Sequence, residues 1–232
     1  MLTQWELERY SRQIEVLGKE GQEKLKNAKV AVVGVGGLGS PVAYYLAAAG
    51  IGTILLIDDG FPELSNLNRQ ILHWEEDVGK LSKPESAKWK LERFNSGIRV
   101  ETFTGRLTRD NVEEILDGVD VVVDCLDNFE GRYVLDEYVH RRGIPLVHGA
   151  VEGTHGQVTT IVPGLTKSLR EIFPKVRERK EKIPIIGATA GVVGSIQVME
   201  VIKLLTGLGE PLLNKLLLID LAFNVFEIVE LT

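Results

Sequence analysis

The hexapeptide SNLNRQ, residues 65–70, places Asn66, Arg69 and Gln70 within one short segment. An arginine fork binds phosphate in bidentate fashion, and a triphosphate supplies the oxygens it needs. The segment lies 8 to 12 residues beyond Asp58, which ends the apolar run TILLID. Asp58 in turn follows the last glycine of GVGGLG by 19 residues. That is the usual spacing between a phosphate-binding glycine loop and a carboxylate that accepts hydrogen bonds from ribose hydroxyls. In the loop itself Gly34, Gly36, Gly37 and Gly39 fit G-x-G-x-x-G, which permits a tight turn and lets phosphate approach backbone N–H groups at a helix N-terminus. Downstream, Lys83 in VGKLSKPESAK opens a helical pattern, where an ammonium can meet the β- and γ-phosphates. A lysine in a first helical turn opposes the macrodipole unless an anion compensates. Asp127 in DCLDN closes the apolar run VDVVVDC and is placed to hold Mg²⁺ on phosphates, because Mg²⁺ takes one or two carboxylates and otherwise phosphate oxygens and water.

These residues need strands and helices in alternation to hold them. Apolar runs of strand length do alternate with helical patterns, the signature of a parallel sheet with crossover helices. Strands are predicted at 29–36, 53–58, 99–104, 119–125 and 145–150. Helices are predicted at 40–50, with Pro41 in the first turn and Gly50 as C-cap, at 84–95, at 111–118 and at 131–143. After residue 150 the character changes. GQVTTIV alternates, residues 166–182 are polar and charged, a long helix runs over about 188–205, and LLLIDL with NVFEIVEL reads as a closing hairpin. The expected fold is α/β: a Rossmann-like, mostly parallel sheet with helices on both faces and an antiparallel C-terminal extension. One domain over 1–232 is the simplest count. It has an N-terminal helical segment at 1–28, a Rossmann-like core at 29–150 and an extension at 151–232 that includes a crossover loop at 165–184.

Composition bounds the function. The chain has 232 residues, 44% of them hydrophobic and 26% charged, and a formal net charge of −6. An acidic balance argues against bulk nucleic-acid or anionic-membrane binding. The apolar stretch IPIIGATAGVVGSIQVMEVIKLL is interrupted by Gln197, Glu200 and Lys203, short of the roughly 20 apolar residues of a span, so a buried helix and a cytoplasmic protein are expected. Cys125 is the only cysteine, so no internal disulfide and no cysteine-based zinc site can be assembled. Its place at the end of an apolar run marks it as a small buried hydrophobe rather than a nucleophile. His73, His140, His148 and His155 show no metal-like spacing, and a hydrogen-bonded role is expected for the pair in HGAVEGTH.

NAD is the default occupant of such a glycine loop, and glycines can also serve helix–strand packing alone. SNLNRQ, Lys83 and Asp127 fit ATP better. Taken together, RYSRQI, GVGGLG, LLIDDG, LSNLNRQ, DCLDN with Arg132, and GQVTTIVPG resemble the MoeB/ThiF/HesA family, adenylyltransferases that activate ubiquitin-like sulfur-carrier proteins. The likeness runs from about Arg9 to Val229. It implies ATP at the glycine loop with Asp58 on the ribose, and Asn66, Arg69 and Lys83 on phosphates. It also implies Mg²⁺ on Asp127, with Gln70, Asn128 and Arg132 in the same nucleotide site. Arg12 would reach into the partner subunit's site of a homodimer. Arg12, Arg69, Lys83 and Asp127 are thus the implied catalytic set. The implied partner is a ubiquitin-like sulfur-carrier protein ending in Gly-Gly, from a molybdopterin, thiamine or thiolation pathway.

The implied chemistry suits these residue types. A C-terminal carboxylate has a pKa of about 3.3–3.7, so it is already ionised at neutral pH and needs no general base. In-line placement and positive charge around the α-phosphorus are what remain to be supplied. The chain departs from the family at several points. Ser168 and Glu171 stand where many members carry the first Cys-x-x-C zinc pair, residues 166–184 contain no thiol, and Gly60 stands where a second acidic residue is often found. No zinc and no covalent thioester step on that segment are therefore expected. The same segment has seven Lys and Arg against three Glu, a mobile solvated loop or a docking strip for an acidic carrier. Two alternatives stay open: a non-catalytic scaffold relative that binds ATP and a carrier, and an NAD-dependent oxidoreductase.

Overall fold

A computed structural model describes residues 1–175 and 183–231. Two helices open the chain, α1 (Gln4–Arg9) and α2 (Ser11–Asn27). Then follow β1 (Lys29–Val33), α3 (Gly39–Ala49), β2 (Thr53–Asp58), α4 (Lys83–Phe94), β3 (Arg99–Thr104), α5 (Val112–Ile115), β4 (Val121–Asp124) and α6 (Phe129–Arg142). The C-terminal part holds β5 (Leu146–Glu152), β6 (His155–Ile161), α7 (Leu169–Ile172), α8 (Gly187–Thr206), β7 (Lys215–Asp220) and β8 (Val225–Glu230). All eight strands lie in one sheet in the order β3-β2-β1-β4-β5-β6-β7-β8. The first five pair in parallel and the last three are antiparallel, as the alternation of patterns predicts.

Both faces of the inner parallel strands β1, β2 and β4 are covered, which is why their sequences read as apolar runs, whereas the edge strand β3 is more polar and only partly buried. In β1, Val30 and Val32 enter a core with α3 and α8, whereas Ala31 and Val33 enter a second core with α5 and α6. Ile54 and Leu56 of β2 follow the first pair, Leu55 and Ile57 the second. The crevice that positions ligands in such a sheet opens at the carboxyl ends of β1 and β4, where strand order reverses.

Local signals set the helix ends. α3 stops at Gly50, which takes the left-handed conformation at φ 81°. α4 starts from a capping box in which Ser82 and Glu85 satisfy each other's backbone donors. α5 is shorter than expected because Gly118, at φ 70°, turns the chain toward β4.

α8 needs a correction to the sequence argument. Its 20 residues are long and apolar enough by composition to cross a membrane, so the polar interruptions do not by themselves exclude a span. In the fold the helix packs against α3, β5 and β6, and Gln197 and Glu200 are buried with partners. Gln197 donates to the Asp124 carbonyl, and Glu200 accepts from Thr160 Oγ1 at 2.6 Å and Leu212 N at 2.7 Å.

The expected basic strip at 166–184 lies partly outside the described residues, since 176–182 are not among them. Its root is α7, where Ser168 and Glu171 form a capping box and Asp136 of α6 accepts from Leu169 N and Arg170 N.

Candidate active site

The glycines of the loop divide into two jobs. Gly34 has φ 93°, and a Cβ there would lie 2.6 Å from the Cys125 carbonyl oxygen; a Cβ on Gly39 would lie 1.9 Å from the Gly34 oxygen. These two positions are closed by backbone packing between β1, β4 and α3. Gly36 and Gly37 instead face side chains of the SNLNRQ segment, with Gln70 Nε2 3.6 Å from a Cβ on Gly36 and Arg69 Cγ 3.4 Å from one on Gly37. The segment therefore returns over the loop.

Asp58 closes one side. Its Oδ2 accepts from Val35 N at 2.7 Å and its Oδ1 from Gly60 N at 2.7 Å. Lys83, the first residue of α4, brings its ammonium to 3.8 Å from Asp58 Oδ1. Gly60 sits between them: a Cβ there would be 3.0 Å from Asp58 Oδ1 and 3.1 Å from Lys83 Nζ. A larger residue at 60 would need both side-chain ends to shift by a few tenths of an ångström. The lysine's cost against the helix dipole is offset by the carboxylate beside it.

The remaining residues of the segment are held less uniformly. Arg69 donates to the Ser65 carbonyl and Asn68 Oδ1, each at 3.0 Å, and stays partly exposed. Asn66 is buried and accepts from Glu63 N, building a one-turn 3-10 helix. Gln70 is 5% exposed, and its Oε1 has no hydrogen-bond partner among the described residues. An unpartnered buried acceptor beside Gly36 is a group a ribose hydroxyl or another ligand donor can satisfy.

At the end of β4 the expectations separate. Asp127 is exposed at the crevice, with Asn128 Nδ2 3.3 Å from its Oδ1. Asn128 spends its oxygen as N-cap of α6, accepting from Gly131 N at 2.9 Å. Arg132, expected in the nucleotide site, points inward and is 5% exposed. Its Nε lies 3.2 Å from Asp124 Oδ2 and its Nη2 donates to the carbonyls of Leu126 and Gly149. The guanidinium thereby supports the loop that carries Asp127.

Two buried networks escaped the sequence reading. In the first, Asp124 Oδ2 lies 2.6 Å from His148 Nδ1, and His148 Nε2 lies 3.1 Å from Gln157 Nε2. A carboxylate on one side and an amide donor on the other place the ring proton on Nδ1. Burial holds His148 below the ordinary histidine value despite the carboxylate. Burial alone would raise Asp124, but Arg132 and His148 outweigh it and hold it below the usual range. The expectation of a hydrogen-bonded His148 is met; its partner Asp124 was hidden inside an apolar run. Cys125 is buried as expected, and burial pushes its thiol well up. In the second network His73 links the glycine loop to Ser86, Lys90 and Asp77 of the α4 side.

Arg12 is exposed near the start of α2 and has no hydrogen bond or ion pair among the described residues. Its neighbour Gln13 donates to the Ala49 carbonyl at the C-terminal end of α3. The glycine loop lies at the other end of that helix, about 15 Å away at 1.5 Å rise per residue. Arg12 is thus remote from the site of its own chain. No group of three or more His, Cys, Asp or Glu suited to a metal occurs among the described residues. A single exposed carboxylate, Asp127, fits a cation held chiefly by ligand phosphates.

Comparison with known proteins agrees with this architecture. The ThiF family model matches residues 10–232. The chain is 43% identical to the SAMP-activating enzyme E1 of Haloferax volcanii, over 97% of this chain and 85% of that protein. It is 41% identical to the sulfur carrier protein adenylyltransferase of Thermus thermophilus, over 94% of this chain and 84% of the relative. A crystal structure of E. coli MccB with ATP superposes with a TM-score of 0.86 at 29% identity, covering 96% of this chain and 70% of the other.

Proposed function

The chain belongs to the ThiF family, and on that premise we propose that it is an ATP-dependent adenylyltransferase acting on the C-terminal glycine of a ubiquitin-like sulfur-carrier protein. A carboxylate oxygen of the carrier attacks the α-phosphorus of ATP. The bond from that phosphorus to the bridging oxygen breaks, pyrophosphate leaves, and an acyl-adenylate remains. The observation that carries this reading is the convergence of Asp58, Lys83, Arg69 and Gln70 around one glycine loop. A dehydrogenase needs the carboxylate and the loop but has no use for a fixed cation there.

Each residue then has a task. Asp58 takes the ribose hydroxyls, and Gln70 Oε1 offers a further acceptor. Lys83, at the head of α4, and Arg69 hold the phosphates by charge and by the bidentate fork. Asp127 would hold Mg²⁺, which supplies charge neutralisation on the leaving phosphates. Arg132 and Asn128 act behind it, the first bracing the loop and the second capping α6. Because Arg12 is remote from its own glycine loop, it reaches a site only across a subunit boundary, in a homodimer. Loss of such an arginine costs on the order of 10³–10⁵ in rate where the comparison has been made for phosphoryl transfer.

The carrier's chemistry is that of a folded domain with an extended Gly-Gly tail. The extension beyond residue 150 is its seat, with β8 exposed along its whole length and Phe226 and Ile228 each 56% exposed. A cytoplasmic location belongs to the same reading. The test is pyrophosphate–ATP exchange with a panel of Gly-Gly-ending carriers from the same genome. Exchange that depends on one carrier supports the proposal. ATP binding without exchange with any carrier favours the scaffold reading, and NADH binding in place of ATP·Mg²⁺ favours the oxidoreductase.

A further inference from the structure

Val35 lies at the centre of the glycine loop, and side chains from two other elements hold both ends of it. Its N–H donates to Asp58 Oδ2 at 2.7 Å, and its carbonyl oxygen lies 2.9 Å from Nε2 of His73. His73 is 3% exposed and lies three residues beyond Gln70, the last residue of SNLNRQ. Its Nδ1 is 2.9 Å from Ser86 Oγ on α4. Ser86 Oγ lies 2.9 Å from Lys90 Nζ and 3.0 Å from Asp77 Oδ2, and Lys90 and Asp77 form a buried ion pair.

A carbonyl can only accept, so Nε2 must carry a ring proton and aim it at Val35, while Nδ1 is held against Ser86 Oγ, whose own hydroxyl donates to Asp77 Oδ2. Burial holds the ring below the ordinary histidine value, reinforced by Lys90 and Lys83 and opposed by the Val35 carbonyl and Asp58. The consequence falls on the next residue. In a planar trans peptide the C=O of Val35 and the N–H of Gly36 point in opposite directions. Holding the carbonyl inward on His73 therefore turns the Gly36 N–H away from the interior. That N–H has no hydrogen-bond partner among the described residues. Glycine at 36 would otherwise let the peptide flip at little cost.

We infer that His73 is a positioning residue for the nucleotide: through Val35 it locks the 35–36 peptide so that the Gly36 N–H faces the phosphates. The inference rests on the proposal that the glycine loop binds ATP. It also gives a role to the Asp77–Lys90 pair, which fixes Ser86 and hence the ring.

The test uses the full chain. Wild type is titrated with ATP·Mg²⁺ by calorimetry, and no binding there overturns the nucleotide reading itself. Given binding by wild type, His73→Leu should weaken ATP on the order of 10-fold, the equivalent of one lost hydrogen bond in the loop. His73→Gln, whose amide can still donate to Val35, should recover most of that loss. The KM for the carrier should be unchanged in both. A folded His73→Leu with wild-type ATP affinity overturns the inference, as does a Gln variant as weak as the Leu variant. Long-range proton–nitrogen spectra of wild type give a second readout that needs no variant to fold. They should show a proton on Nε2 of His73, and an Nε2 without a proton overturns the inference.

Discussion

Lys83 Nζ stands 3.8 Å from Asp58 Oδ1, so the cation expected on phosphates and the carboxylate expected on ribose share one corner of the crevice. At 3.8 Å the two groups do not share a hydrogen bond, so a ligand can redirect either partner. Lys83→Met should therefore leave the melting temperature near wild type. It should lower adenylation on the order of 10²-fold, as removal of one preorganised charge donor does. Adenosine should bind the variant as it binds wild type while ATP binds more weakly. Equal losses for adenosine and ATP would contradict a phosphate role for Lys83.

Arg12 separates nucleotide binding from turnover. Arg12→Ala should keep ATP affinity while adenylation collapses, because an interaction made only in the transition state lowers turnover without raising the substrate constant. Asp58→Ala should lose ATP affinity as well. Mixed dimers of the two variants contain one site with both groups intact, so activity should return on mixing. Heterodimers that form and stay inactive would place Arg12 outside the mechanism.

Stability should fall with acid in two stages. Burial holds His73 and His148 below the ordinary histidine value of 6.5, so the unfolded chain takes up protons first. The stability they contribute above about pH 6.5 is lost as pH falls through their folded values. Burial would raise Asp77 and Asp124, but Lys90 and Arg132 outweigh it and leave both below the ordinary 3.8, so their contribution is lost at still lower pH. The melting temperature should decline from pH 7 to 5, and His148→Gln should flatten that decline. A wild-type profile flat to pH 5 would be the contrary result.

The glycines of the loop should differ in what they tolerate. Gly39→Ala drives a Cβ to 1.9 Å from the Gly34 oxygen and should destabilise the fold by several kcal/mol, on the order of 2–4 by analogy with overpacked and strained sites. Gly37→Ala meets only Arg69 and Ala190 side chains at 3.4–3.7 Å and should fold, with weakened ATP binding as its main effect. Denaturant midpoints and ATP titrations of the two variants distinguish these outcomes.

Chelation gives a last test. Ser168 and Glu171 satisfy each other at the root of α7, and Asp136 holds that turn to α6. Treatment with a strong zinc chelator in excess Mg²⁺ should leave the melting temperature unchanged. A stoichiometric metal whose removal unfolds the protein would show that these hydrogen bonds do not suffice.

Much of this architecture was legible along the chain. Valine-rich runs buried on both faces, Gly50 as a helix C-cap and the spacing from Gly39 to Asp58 depend on neighbours in sequence, where periodicity and turn chemistry operate. The residue types of SNLNRQ that could meet phosphate were legible too, whereas their placement against Gly36 and Gly37 needed the long connection from β2 to α4 to be folded.

Side-chain direction was not legible, because it is set by which elements pack together rather than by local pattern. Arg132 lies three residues beyond the start of α6, and only the burial of Asp124 behind it turns the guanidinium inward. His73 has no signature in its own segment; its role depends on α4 bringing Ser86 against one ring nitrogen while β1 delivers Val35 to the other. Arg12 is one residue from Gln13, yet its distance from the glycine loop follows from the docking of α2 on the far end of α3. By itself the sequence determined the sheet, the loop and the residue types that could meet a nucleotide, since these rest on backbone geometry and short-range spacing. Tertiary structure alone decided which of those residues face the crevice and which brace it, because long-range packing chooses where each buried charge and each peptide plane must point.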